Sequence, residues 1–245
     1  MRDETTSKAS FWAYDIFGYL LPGAVLISVF AKANIFIYEL TAPHWGSGKY
    51  IDYAILIGIA YTTGHIISAF SSYLLERLIL RWLFGYPTTM MFKDESIVRP
   101  WYERLISPGY FRSYSNQFQR KFAEVFKKRF GLSDFDQHDY FWLAWSYVAA
   151  NHAVAYRRAT HFLELYGFTR NMSMTFLIIG TATWFCGWTN FVNGYVYSAV
   201  CFVSAGALFS NYTKLLRRLN DEVYRAFVSI ESERLTQTDT IADKP

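Results

Sequence analysis

Few side chains in this sequence are placed to do chemistry, and most of them lie in or beside apolar runs. His65 stands inside the apolar segment from Tyr53 to Leu75. An ionisable group within a membrane helix is a functional candidate by default. A neutral imidazole hydrogen-bonded to a neighbouring helix is the plainer reading. Asp15 opens another apolar segment. It reads either as a helix-start acid facing headgroups or as a partly buried carboxylate paired with Arg170 or Arg77. Lys32 lies farther along that segment, where it either snorkels to the outer surface or lines a pore. Arg170 precedes Asn171 at the start of a third apolar run. His65, Asp15, Lys32 and Arg170 are therefore the candidate functional residues within or at the edge of a membrane.

Elsewhere the polar pairings are weaker. His161 and Glu164 are three residues apart beside Arg157 and Arg158, with His152 at least a turn away. A ferritin-like di-metal site needs Glu-x-x-His from two helices. Here the order is reversed and occurs once, so an i,i+3 surface contact is the simpler reading. His138 and Asp139 adjoin at a helix start and point about 100° apart. There is no phosphate-binding Gly-rich loop, dinucleotide fingerprint, Gly-x-Ser-x-Gly or His-Glu-x-x-His. Cys186 and Cys201 read as small packing residues. No Cys–His metal spacing or disulfide framework can be built from them. No catalytic, cofactor or metal set is expected, and the balance leans away from an enzyme.

The elements that must position these residues are transmembrane helices. Asn171 to Thr213 contains no Asp, Glu, Lys or Arg. That is about twice the roughly 20 apolar residues one helix needs to cross the hydrocarbon core. Asn190, Asn193 and Gly194 interrupt the run near its middle. Its outer ends are basic, with Arg170 on one side and Lys214, Arg217 and Arg218 on the other. Lys and Arg prefer the cytoplasmic side, so the turn is expected outside and both ends inside. In the first span Pro22 removes a backbone donor, which predicts a kink and a freed carbonyl near Gly18. Gly18 and Gly23 beside that kink let another helix approach closely. The second span carries Gly58, Thr62, Thr63, Gly64, Ser68, Ser71 and Ser72, small residues that favour helix contact in lipid. Glu76, Arg77 and Arg81 close it on the cytoplasmic side.

Composition agrees with a chain that is half membrane and half aqueous. Apolar residues make up 52% and aromatics 20%, while charged residues are 18%, against about 25% in an average soluble chain. A mean hydropathy of +0.07 is too low for membrane throughout. The formal net charge of +4 is modest, and its excess beside the spans suits an anionic inner leaflet better than a nucleic-acid groove. The polar stretch Arg2 to Ser10, followed by a long apolar run with no small-residue cleavage site, is not a cleavable signal. Asn171-Met-Ser173 and Asn211-Tyr-Thr213 match the glycosylation pattern but fall on the cytoplasmic side.

The aqueous segment between spans two and three is expected to be helical. After a breaker-rich stretch from Phe84 to Tyr114, with a short helix near Trp101 to Ile106, Asn116 to Phe130 reads as an amphipathic helix. Phe118, Phe122, Val125, Phe126 and Phe130 recur at three- and four-residue steps, and Gly131 ends the helix. Arg120, Lys121, Lys127 and Lys128 form a candidate membrane-surface basic face. The alternative is a helix packed on its neighbours with a solvated basic side. No nucleic-acid motif accompanies the cations, so nucleic acid is not an expected partner. Ser133-Asp134-Phe135-Asp136 is a helix start. A helix then runs from about Gln137 to Phe168, with His152 on its packed face, and leads almost continuously into the third span. Leu215, Leu219, Val223, Phe227 and Ile230 continue a stripe beyond the fourth span to about Arg234.

The expected architecture is all-α: a four-transmembrane-helix bundle with helices extended into the cytoplasm. The divisions are a cytoplasmic tail (1–13), spans at 14–38 and 53–75 joined by an external loop (39–52), and a cytoplasmic helical insertion (76–171). Spans at 172–189 and 195–212 follow, with an external turn (190–194), a cytoplasmic helix (213–235) and a disordered tail (236–245). Both termini are expected in the cytoplasm.

Asp15-Ile16-Phe17-Gly18-Tyr19-Leu20-Leu21-Pro22-Gly23 and Leu165-Tyr166-Gly167-Phe168-Thr169-Arg170-Asn171-Met172 carry a resemblance. In these two motifs, about a tenth of the chain, it resembles a loose group of small bacterial multi-pass membrane proteins often encoded beside defence or mobile elements. The resemblance implies an inner-membrane location and a role in phage defence, and brings no catalytic residues with it.

Three functions are open at this point. The first is a non-enzymatic membrane effector, sensor or scaffold, self-associating in the bilayer and binding a protein partner through its cytoplasmic helices. The second is a lipid- or headgroup-directed enzyme using His65 or the cytoplasmic histidines. The third is an accessory subunit of a transporter; four spans without inverted repeats argue against a stand-alone carrier.

Overall fold

The computed structural model of the chain describes residues 14–32, 49–92, 109–110, 112–131, 137–186 and 191–242. Every described element is a helix, so the chain is all-α. The elements are α1 (Leu21–Lys32), α2 (Lys49–Ser71), α3 (Pro87–Met90), α4 (Asn116–Phe130), α5 (Gln137–Asn151), α6 (Ala153–Cys186) and α7 (Phe191–Ala242). A π-helical segment, Ile16–Leu20, leads into α1, and another, Ser72–Phe84, continues α2. The first ends two residues before Pro22, which has no N–H to offer the Gly18 carbonyl; widened turns are common where the ladder is interrupted.

The bounds of α4 match the sequence pattern. The Ser115 hydroxyl accepts the Phe118 N–H at 3.3 Å. At the other end Gly131, at φ 68°, donates its N–H to the Lys127 carbonyl, a left-handed cap that glycine adopts without a Cβ penalty.

Three boundaries differ from expectation. The helix expected over 137–168 is interrupted at His152, whose Nδ1 accepts the Ala155 N–H at 3.0 Å. A side chain thus takes a backbone donor at the head of α6, and His152 is exposed rather than packed. Asn193 and Gly194 are helical, because α7 already begins at Phe191. α7 also continues through Ala242, beyond the expected start of the tail at residue 236, since no Gly or Pro breaks it there. The short helix expected near Trp101–Ile106, the helix start at Ser133–Asp136 and Asn190 of the expected turn lie outside the described residues.

The chain divides into two units. The first comprises Met1–Trp82 and Glu164–Tyr212. In it α1 and α2 meet backbone to backbone. A Cβ on Gly23 would lie 1.9 Å from the Ala60 carbonyl oxygen, and one on Gly64 would lie 1.9 Å from that of Tyr19. Gly58, read above as a contact residue, has open space beside it. The apolar core is small, built on Leu26, Ile67, Leu75, Met174 and Ile179. Hydroxyls tie α6 to α7: Ser173 donates to the Ala205 carbonyl at 2.8 Å and Ser198 to the Gly180 carbonyl at 2.6 Å.

Two helices are long and apolar enough to cross a membrane, Tyr50–Met90 and Gly194–Leu235. Only 22% of each apolar window is buried within the protein, unlike the core helix of a soluble domain. Their outward faces carry Tyr53, Ile57, Ile66 and Phe70, and Val196, Val200 and Val203. These helices suggest a membrane location. Ile16–Lys32 is a shorter apolar helix. The segment expected as the third span falls within α6, where Asn171 to Thr175 are all buried.

The second unit, Leu83–Leu163 with Thr213–Pro245, is organised around rings. Phe122 packs against Phe92, Tyr224 and Phe227 at centroid separations of 4.9, 5.3 and 5.7 Å. Phe227 also meets Phe126 and Tyr147 at 5.7 and 5.3 Å. Offset and edge-to-face geometries of this kind add to area burial.

Candidate functional site

Within the first unit, α6 delivers Arg170 into the protein, where the residue is only 8% exposed. Its Nη1 donates to Glu76 Oε2 at 2.8 Å and to the Tyr166 hydroxyl at 3.2 Å. Its Nη2 donates to Ser68 Oγ at 3.1 Å, and its Nε reaches Asn171 Oδ1 at 3.4 Å. The Tyr166 hydroxyl donates to the same Glu76 oxygen at 3.1 Å. Ser72 adds a longer contact to it at 3.3 Å. Burial by itself opposes the guanidinium charge. The Tyr166 and Glu76 oxygens more than offset it and raise the Arg170 pKa above its usual value, as an opposite charge at contact distance does.

The sequence singles out Arg170 but offers it, with Arg77 as the alternative, as a partner for Asp15. The carboxylate that meets it is Glu76. Ser68, Ser72 and Glu76 step by four residues and stay on one helical face; Arg77 is exposed beside them. Asp15 makes no capping hydrogen bond with its side chain. Asn171 completes the network. Its Oδ1 accepts the Ser71 hydroxyl at 2.6 Å, and its Nδ2 donates to the Gly18 carbonyl at 2.8 Å. That carbonyl is the one Pro22 was expected to free. The network spends its donors on the protein itself, so its chemistry is that of an internal tie.

The other sequence candidates lie apart from this network. His65 is exposed. Its ring stacks on Tyr19 at 4.0 Å and meets the edge of Tyr61 at 4.6 Å. Lys32 is exposed at the end of α1. On α4, Phe122 and Phe126 are 2% exposed inside the protein core. Those rings are thus committed to protein packing rather than offered to acyl chains, while Arg120, Lys121, Lys127 and Lys128 stand exposed on the other side. No group of three or more His, Cys, Asp and Glu side chains suited to a metal ion occurs among the described residues.

The second unit contains a cleft that sequence reading did not anticipate. Its volume is about 990 Å³. One wall is made by Gly109, Arg112 to Ser115 and Phe118, and the other is α7, which supplies Lys214, Arg217, Arg218, Asp221 and Arg225. With Arg112 the cleft has five cations against the single carboxylate of Asp221, an excess as large as the formal net charge of the whole chain, +4.

The walls are fixed by short-range bonds. Gly109 at φ 81° permits the turn that opens the segment. The Tyr114 N–H donates to the Met91 carbonyl at 2.9 Å. Arg217 donates to the carbonyls of Tyr110 and Arg112, pinning the segment to α7. Burial lowers the Arg217 pKa, since these neutral acceptors do not replace a counter-charge. Asp221 is already engaged: it accepts from the Tyr114 hydroxyl and from Arg225 Nε, both at 2.8 Å. Burial first, and then the adjacent Asp221 charge, push the Tyr114 phenol well above its ordinary range. The Arg225 guanidinium also lies over the rings of Tyr114 and Phe118, at 5.9 and 5.8 Å. The result is a basic recess whose two walls are hydrogen-bonded to each other.

The sequence held one legible trace of it. Lys214, Arg217 or Arg218, Asp221 and Arg225 recur at helical spacing beside the apolar stripe on α7. In the sequence the first three cations read only as markers of membrane orientation. Comparison with protein-family models, with curated proteins and with solved structures returns no match.

Proposed function

We propose that this chain is a non-enzymatic multi-pass inner-membrane protein that self-associates and acts as an effector or sensor through its cytoplasmic helices. In this reading it crosses the bilayer four times, with both termini and the segment between spans two and three in the cytoplasm. The observation that carries the reading is the make-up of α7. One helix, Phe191–Ala242, bears exposed Val196, Val200 and Val203 in its first half. Beyond them the same helix bears Lys214, Arg217, Arg218 and Arg225 of the cleft. A ligand or protein partner held at those residues acts on a helix that also belongs to the bilayer. Membrane perturbation during phage infection is the output that the sequence resemblance favours.

Induced expression should depolarise the host membrane, read with a potential-sensitive dye, and replacing His65 or Lys32 should alter that response. Unchanged potential together with a monomeric particle in detergent would overturn the proposal. A reporter fused after Phe130 should report from the cytoplasm; activity in the periplasm would overturn the topology.

A further inference from the structure

Charge and shape converge in the cleft of the second unit. Five cations line it, and its single carboxylate neutralises only one of them, Arg225, through a direct ion pair. Arg112, Lys214 and Arg218 are exposed at the walls. Arg217 is held by two carbonyl oxygens that leave its charge in place. Such an arrangement concentrates positive potential in a recess with low-dielectric walls.

The spacing narrows the ligand. Lys214 and Arg225 lie eleven residues apart on α7, about 16 Å at the helical rise. A single phosphate touches one or two of these side chains. A ligand with several phosphates can follow the row. The cleft's volume of about 990 Å³ is at the upper end for a small-molecule site, a size that suits a compact ligand. Guanidinium forks suit phosphate oxygens through paired hydrogen bonds.

We propose that the cleft formed by Arg112, Lys214, Arg217, Arg218 and Arg225 binds a ligand carrying two or more phosphate groups. The source is either a free polyphosphate or the headgroup of a lipid with two phosphates. This rests on the sensor reading above and supplies its signal. Binding orders Arg112, Lys214 and Arg218 on the ligand, while Arg217 keeps the Tyr110–Arg112 turn attached to α7.

The test uses the full chain in lipid nanodiscs. Inorganic tripolyphosphate is titrated calorimetrically, with orthophosphate as the short control. Orthophosphate should bind at least tenfold more weakly. Arg112→Gln and Arg218→Gln each remove an exposed cation and should each weaken tripolyphosphate binding about tenfold. Lys121→Gln, on α4 outside the cleft, should change it less than twofold. Arg217→Gln is avoided as the primary variant because it also releases the turn.

For the lipid source, nanodiscs of phosphatidylcholine with and without cardiolipin are compared by native mass spectrometry. Retained cardiolipin that tripolyphosphate displaces, and that Arg218→Gln loses, assigns the headgroup. Tripolyphosphate binding without cardiolipin retention assigns the free ligand. Failure to bind either probe overturns the proposal, as does an equal loss in Lys121→Gln. Tight binding of single-stranded RNA with no tripolyphosphate affinity overturns it in favour of a polymer. Depolarisation that persists without phosphate binding sinks the cleft proposal alone; phosphate binding by a chain that never depolarises cells sinks the effector reading alone.

Discussion

The two units hold themselves together by opposite means. In the first, helices touch at glycines and through a buried polar network, while Tyr53, Phe70, Tyr73 and Trp82 face outward. In the second, the rings turn inward: Phe122, Phe126, Tyr224 and Phe227 are buried together. Under the proposed topology, with the first unit in lipid and the second in water, the contrast follows from the solvent each would face. Lipid gives apolar side chains no reason to leave it, so helices there associate through close backbone approach and hydrogen bonds. Water expels apolar surface, and aromatic residues bury the most of it. The polar tie at Arg170 and the ring cluster at Phe227 are two answers to the same demand for cohesion.

The contrast can be broken or sharpened by substitution, read as unfolding free energy of the detergent-solubilised chain. The largest effect is expected in the second unit. Phe227→Ala removes a ring with 0% exposure and should cost about 4 kcal/mol. A cost under about 1 kcal/mol would mean that the ring cluster is not the source of cohesion. Next comes Arg170→Ala, which leaves Glu76 without its guanidinium and should cost about 3 kcal/mol. Adding Glu76→Gln should return part of that loss. Strict additivity of the two changes would show that the pair is uncoupled. The smallest effects come from two glycines on one helix. Gly64→Ala places a carbon against the Tyr19 carbonyl and should cost about 2 kcal/mol by overpacking. Gly58→Ala meets open space and should stabilise by about 0.5 kcal/mol through helix propensity. Equal responses at both positions would remove the argument for backbone contact.

How much could be read from the chain depended on the distance between partners. The bounds of α4 were legible because phenylalanine spacing and Gly131 are local signals. The freed Gly18 carbonyl was legible because Pro22 lies four residues away. Arg170 drew attention as a cation beside an apolar run, but its carboxylate was misassigned, because Glu76 lies 94 residues away and sequence spacing does not report such pairings. The cleft was missed for the same reason. Arg217 meets the carbonyls of Tyr110 and Arg112 across more than a hundred positions. His152 looked like a packed residue because its spacing matches the apolar stripe of its helix. Its capping bond to Ala155 is a side-chain choice that periodicity does not encode.

The bond from Asn171 to the Gly18 carbonyl ties the fates of two distant codons. Proline at position 22 creates the vacancy and asparagine at 171 fills it. A lineage that trades Pro22 for a residue with an amide hydrogen releases Asn171 from that task. One that loses Asn171 first carries a stranded oxygen until Pro22 changes too. Across descendants of this chain, the two sites are expected to drift together or to stay as they are.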